Sequence, residues 1–292
     1  MPEGDTLYRT AFVLREVLLG RQVLAARGRV DGVALGLVVG SRIDRVESQG
    51  KHLLIGFDDD RTLHTHLRMH GSWHRYRPGE RWKRSPSRAV AVIEVADAVA
   101  VCFDATTVEL LDSRALAIHP TLMALGPDLL AEELETDEIV RRLQAPERAD
   151  MAVGEALLDQ TVLAGLGNVY RSEVLFVERL DPFLALGRMD PERMPHLVEV
   201  AAELLGANRL RPGRVTMPDA LGADPGLADG PRAHGRRLWV YGRAGRPCRR
   251  CGTRIRTKVF GALPRRVFWC PSCQPEGAGS VSADSGGAAV SG

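Results

Sequence analysis

Leu7, Ala11, Leu14 and Leu18 recur at helical spacing behind Asp5 and Thr6, either of which suits an N-cap, and Gly20 supplies a stop. The chain is therefore predicted to open on an amphipathic helix. The period then falls to two. His52 to Phe57 and Thr62 to Met69 read as strands joined through Asp58-Asp59-Asp60, and Ala89 to Val95 with Val99 to Phe103 as a second hairpin. Short strands after one helix predict a β-sandwich. The pattern turns helical again beyond Ile118. Thr136, followed by Asp137 and Glu138, is an N-cap signal, and Met151 to Gln160 reads as one amphipathic helix. Thr161 to Gly167 is a glycine-bearing connection, Asn168 opens a helix to about Arg179, and Pro195 starts another that ends at Gly206. Residues 212 to 235, rich in Pro, Gly and Asp, read as a long loop. From about Glu276 almost no large side chain remains. The predicted class is α+β multidomain: a β-sandwich with a leading helix over 1–124, a hinge over 125–135, a helical domain over 136–234, a small module over 235–275 and a disordered tail over 276–292.

With 292 residues the chain can bury full cores. Its apolar runs are short, and Met-Pro-Glu-Gly-Asp carries acid where a signal peptide carries base, so a soluble, cytoplasmic, nucleoid-associated protein without membrane contact is expected. The small module adds chemistry. Cys248 and Cys251, then Cys270 and Cys273, form two CxxC pairs, and four thiolates in a tetrahedron suit one structural zinc ion. Disulfides are the alternative, but they belong to oxidising compartments. Cys102, in an apolar run, reads as a buried thiol. Residues 231–275 carry twelve Lys/Arg and no Asp/Glu, so a net charge of +2 hides a strong dipole. An arginine-dominated patch is the footprint expected for phosphate backbones. His64, His66 and His70 share alternation along a strand, yet the cysteines already account for a metal, and His66 reads as a packed or hydrogen-bonded histidine.

A proline after the initiator methionine offers, once Met1 is removed, a secondary amine that is nucleophilic near neutral pH. Glu3 beside it is a candidate proton donor or acceptor. An amine that forms a Schiff base at a sugar C1′ can break the glycosidic bond and then, by elimination, the phosphodiester. Met1-Pro2-Glu3-Gly4, Gln49-Gly50-Lys51, His66-Leu67-Arg68-Met69-His70-Gly71, Leu158-Asp159-Gln160, Leu163-Ala164-Gly165-Leu166-Gly167-Asn168 and the finger ending Phe268-Trp269-Cys270-Pro271-Ser272-Cys273-Gln274 stand in order along the chain. Together they resemble the formamidopyrimidine-DNA glycosylase and endonuclease VIII family of bifunctional DNA repair enzymes.

The resemblance implies a helix-two-turns-helix DNA-binding domain over 136–234 and a zinc finger over 235–275. It implies Pro2 as the catalytic amine, Glu3 as acid/base and Lys51 as a phosphate-contacting lysine with a part in catalysis. Asn168 and Arg265 match the family's phosphate-binding asparagine and finger arginine, with Arg266 adjacent to the latter. Glu173 matches an acidic position of structural rather than chemical role. Arg68, Met69 and His70 match the group that fills the void left by an extruded base. The implied partner is damaged duplex DNA, with single-stranded or bubble DNA as further substrates, bound by a monomer. Two departures matter. Asp104 to Leu111 lacks the Arg-Arg-Phe-Gly stretch of purine-directed relatives, which with Pro-Glu-Gly favours the endonuclease VIII branch and oxidised pyrimidines, while Met69 is closer to the purine branch. Asp5-Thr6 stands where most relatives have Pro-Glu, leaving open whether Asp5 supplies that charge. A non-catalytic lesion-binding protein of the same fold is the alternative of a different class.

Overall fold

The computed structural model describes residues 2–281 apart from Asp31, Pro212, 218–236 and Leu263. Helix α1 (Gly4–Leu18) starts one residue before the expected caps, with Glu3 at the N-cap position, and lays Leu7, Ala11, Leu14 and Leu18 into the core. Neither Asp5 nor Thr6 caps it, because the Asp5 carboxylate is occupied elsewhere.

Two antiparallel four-stranded sheets form the sandwich. One has the order β1 (Ala25–Gly28), β6 (Ala89–Glu94), β7 (Val99–Phe103) and β5 (Ser72–Tyr76). The other runs β2 (Ile43–Gln49), β3 (His52–Phe57), β4 (Arg61–His66) and β8 (Thr107–Asp112). Strand β4 stops at His66, short of the expected Met69. The backbone turns there, with Arg68 at φ 49° and Gly71 N–H donating to Leu67 O at 2.9 Å. Leu53, Ile55 and Leu63 face the core with α1, while His52, His64 and Glu109 line the opposite face of the same sheet.

Short helices α2 (Ser113–Ala117) and α3 (Pro120–Met123) lead out of the sandwich. Residues 125–135, expected as a hinge, are stitched to the helical domain: Gly126 N–H donates to Gln160 O (2.8 Å), and Leu129 joins the second core. That core is built by α4 (Thr136–Leu143), α5 (Val153–Ala156), α6 (Asn168–Val177) and α7 (Met194–Gly206). Met151 to Gln160 is not one helix. Only one turn forms, because Asp159 accepts from Thr161 N–H and Oγ1 while Gln160 bonds Leu158 O, Leu166 O and Gly165 N–H, so both side chains compete with the helix for backbone groups. Thr136 is the first helical residue of α4, not its cap.

The finger hairpin pairs β9 (Arg256–Phe260) with β10 (Arg265–Trp269). Of the expected loop 212–235, only 213–217 lie among the described residues. The expected tail starts later than residue 276. Ala278 O and Gly279 O accept from Asp181 and Asp190 N–H at 3.0 and 2.9 Å, so 276–281 is docked on the helical domain, and 282–292 lie outside the described residues.

Candidate active site and nucleic-acid interface

The N-terminus is pinned between the two domains. Gly4 N–H donates to Gly165 O at 2.8 Å, and Gly165 has φ +98°, a conformation that favours glycine. Glu3 is fully buried. Its carboxylate accepts from Gly167 N–H (3.1 Å), Val169 N–H (2.9 Å) and, more weakly, Tyr170 N–H (3.5 Å), so a residue of the sandwich satisfies the orphan donors at the start of α6. A Cβ on Gly167 would overlap that carboxyl group. Pro2, half-buried, stands immediately before it.

Lys51 follows the Gly50 turn between β2 and β3. Asp128 Oδ2 accepts from Gly50 N–H at 2.7 Å and its Oδ1 from Leu130 N–H at 3.0 Å, anchoring that turn from the helical side. Burial lowers the Lys51 pKa to about 8, opposed by Glu3 and assisted by Arg214 and Arg265. Glu3, Arg214 and Arg265 thus all act on Lys51 through their charges.

Asn168 heads α6 and is held from two sides. Arg171, fully buried, donates through Nη2 to Asn168 Oδ1 at 2.5 Å, while Asn168 Nδ2 donates to Arg266 O at 3.0 Å and so ties α6 to β10. Burial lowers the Arg171 pKa to about 10. Glu173 has a structural role: Oε1 accepts from Val240 and Tyr241 N–H at 2.9 and 2.8 Å, and Oε2 from Trp239 N–H at 2.7 Å and from Thr216 Oγ1. Arg68, Met69 and His70 are exposed side by side at the tip beyond β4, with Met69 48% accessible, whereas Leu67 is buried. Met69 is therefore not part of the sheet core.

All four finger thiols are free cysteines whose Sγ atoms lie within 4.8 Å of one another. Cys251 to Cys270 is 3.4 Å and Cys248 to Cys273 is 3.9 Å. Zinc–sulfur bonds of about 2.3 Å in a tetrahedron require sulfurs about 3.8 Å apart, so the four cysteines fit the ion. Gln274 locks the second knuckle, accepting from Cys270 N–H (3.0 Å) and donating to Leu180 O (2.9 Å).

The histidines form a network that the sequence did not reveal. Ligand atoms of His64, Glu109 and His119 also lie within 4.8 Å. Leu122 N–H donates to His119 Nδ1, so its Nε2 carries the proton and donates to Glu109 Oε2 at 3.2 Å. His64 Nδ1 donates to the same oxygen at 2.7 Å, and His64 Nε2 then accepts from His52 Nδ1 at 2.8 Å. Every proton is accounted for by hydrogen bonds. His66 is only partly buried, and its Nδ1 accepts from Arg68 N–H at 3.2 Å.

Burial, then the nearby His66, His64, His119 and Lys51, lowers the His52 pKa to about 3. Below pH 6.5 the unfolded chain takes up a proton that folded His52 refuses, so stability falls as pH drops from 6.5 toward 3. At pH 5 this costs about 2 kcal/mol for His52 alone. Urea midpoints measured at pH 7 and pH 5 are expected to differ less in His52→Gln than in the native protein; an equal difference in both would refute the assignment.

Residues 1–118 match the formamidopyrimidine-DNA glycosylase N-terminal domain and residues 125–213 the formamidopyrimidine-DNA glycosylase H2TH domain. The chain is 40% identical over 278 residues to the probable endonuclease 8 2 of Streptomyces coelicolor, covering 94% of each chain. It is 40% identical over 275 residues to the DNA-(apurinic or apyrimidinic site) lyase Nei2 of Mycolicibacterium smegmatis, covering 94% of this chain and 99% of that one. Its fold is shared with Lactococcus lactis formamidopyrimidine-DNA glycosylase, solved non-covalently bound to DNA containing an abasic site, with a TM-score of 0.74 at 21% identity over 94% of this chain and 100% of that one. A buried N-terminal glutamate docked on the second helix of a helix-two-turns-helix domain, a sandwich and a four-cysteine finger, joined to these matches, place the chain in the formamidopyrimidine-DNA glycosylase/endonuclease VIII family.

Proposed function

We propose that this protein is a bifunctional DNA glycosylase and abasic-site lyase of base excision repair. The observation that carries the reading is the convergence of Pro2, Glu3 and Lys51 on the start of α6, within the charge field of Arg265. The Pro2 amine attacks C1′ of the extruded nucleotide. The N-glycosidic bond breaks and the base leaves with the proton that the attacking amine sheds; the C1′–O4′ bond then breaks to form an iminium as the protonated Glu3 carboxyl gives its proton to the ring oxygen. Loss of a C2′ proton then expels the 3′ phosphate by elimination, and water releases the amine. At a pKa of about 8, a fraction of Lys51 is neutral near physiological pH, which suits it to proton transfer as well as to phosphate contact.

Asn168 and Arg265 grip the phosphates of damaged duplex DNA, and Arg68, Met69 and His70 fill the void, a cost of a few kcal/mol that single-stranded and bubble substrates largely avoid. One zinc ion held by Cys248, Cys251, Cys270 and Cys273 is structural, since four thiolates close its coordination sphere. The protein acts as a monomer in the cytoplasm, a placement that the likeness to endonuclease 8 relatives supports. Separately, among the described residues no helix is long and apolar enough to cross a membrane. Oxidised pyrimidines are the favoured lesions. Only Asp104 to Thr106 separate β7 from β8, and Asp104 is engaged by Arg84 and Arg88, so this connection has no room to insert two further side chains.

Borohydride added during turnover is expected to trap a protein–DNA adduct through the N-terminal residue, fastest on thymine glycol, dihydrouracil or 5-hydroxycytosine. No adduct with any oxidised or abasic substrate, from protein lacking Met1, would sink the glycosylase reading. Fastest processing of 8-oxoguanine opposite cytosine would replace pyrimidines with purines.

A further inference from the structure

The departure at Asp5-Thr6 has a structural answer 209 residues away. Arg214 donates from Nε to Asp5 Oδ2 at 2.8 Å and from Nη2 to Asp5 Oδ1 at 2.7 Å and to Thr6 Oγ1 at 3.0 Å. Tyr170 OH donates to Asp5 Oδ2 at 3.1 Å, and the guanidinium carbon lies 5.3 Å from the Tyr170 ring centroid. Arg214 Nη1 is 3.7 Å from Glu3 Oε1. One arginine therefore spans α1, the catalytic carboxylate and α6. Its side chain is 14% exposed and that of Asp5 is 2% exposed, so neither charge would be tolerated without the other. Burial opposes ionisation of Asp5, yet the hydrogen bonds and charge of Arg214 hold its pKa below the ordinary value.

We propose that Asp5 and Arg214 form a positioning pair that keeps Glu3 and the N-terminal amine in register with α6, in place of the glutamate usual at position 6 in relatives; this rests on the glycosylase/lyase reading. A planar fork binding a carboxylate through two nitrogens fixes orientation as well as distance. A misplacement of about 1 Å near reacting atoms costs on the order of 10²-fold in rate.

The pair also sets the field at Lys51, which faces Glu3, Arg214, Arg265, His52 and His66. Taking away Arg214 removes a cation from that field, whereas taking away Asp5 leaves Arg214 charged and beside Glu3. A shift at Lys51 that follows Arg214 and not Asp5 is an effect of charge, which loss of packing alone would not produce.

The test uses full-length Arg214→Gln, Asp5→Asn and the double variant. Lys51, Lys83 and Lys258 are the only lysines in the chain, so carbon-13 labelling at Cε gives three resolvable titrations. The Lys51 midpoint is expected to rise in Arg214→Gln and in the double variant, and to stay near the native value in Asp5→Asn. Borohydride trapping on abasic DNA should slow by about 10- to 100-fold in each single variant, with the dissociation constant within about threefold. An unchanged Lys51 midpoint in all three, or trapping rates that fall only in step with lost thermal stability, would overturn the proposal. Absence of an adduct from the native protein would instead remove the function, while the Lys51 titrations still decide the pair.

Discussion

Glu173→Ala is expected to release the finger from α6, lowering the melting temperature, hastening zinc loss to a chelator and weakening DNA binding together. The carboxylate accepts from three consecutive backbone N–H groups, of Trp239, Val240 and Tyr241, and from Thr216 Oγ1, in a fully buried position. Alanine leaves all four donors orphaned at about 1–3 kcal/mol each where water cannot reach them. Some relaxation makes about 3–5 kcal/mol a reasonable total, a large share of the stability of any domain. Glutamine would not rescue, because its NH2 group would meet N–H donors. Native zinc retention and affinity in Glu173→Ala would show that the finger docks by other means.

Glu3→Gln is expected to lower the single-turnover rate of base release by about 10²- to 10⁴-fold, the span that general acid–base groups supply. DNA affinity, which the proposed function assigns to Asn168, Arg265 and the loop at Met69, should change far less. The amide also meets the N–H groups of Gly167 and Val169 with a donor where an acceptor stood, so some loosening of α6 should accompany the loss. Single-turnover cleavage and fluorescence anisotropy on the same lesion separate the two effects. A rate within tenfold of the native protein would remove Glu3 from the chemistry.

Strands β3 and β7 were legible to the residue, because each is an apolar run bounded by turn residues. Strand β8 was not. Glu109 interrupts its apolar pattern, and only the pairing with β4 and the bonds from His64 and His119 explain a carboxylate there. The cluster of four cysteines and the start of α6 at Asn168 followed from spacing. The exposed tip at Met69 did not, since its residues read as a continuation of the strand. Arg214 and Asp128 carried no local signal: each acts on a partner that the fold brings to it from another domain. Arg171 sits three residues from its partner Asn168 on one helix, but its burial there is a product of tertiary packing. The docked segment 276–281 was missed because its own backbone N–H and C=O groups, which every sequence has, make its hydrogen bonds.

Glu3 belongs to the sandwich by chain and to the helical domain by its hydrogen bonds. Separating the two halves by about 1 Å would stretch all the Glu3 bonds at once, well past the range in which hydrogen bonds hold. The burial of this one carboxylate therefore reports on the closure of the two domains: water reaches it only where its bonds to Gly167 and Val169 have parted.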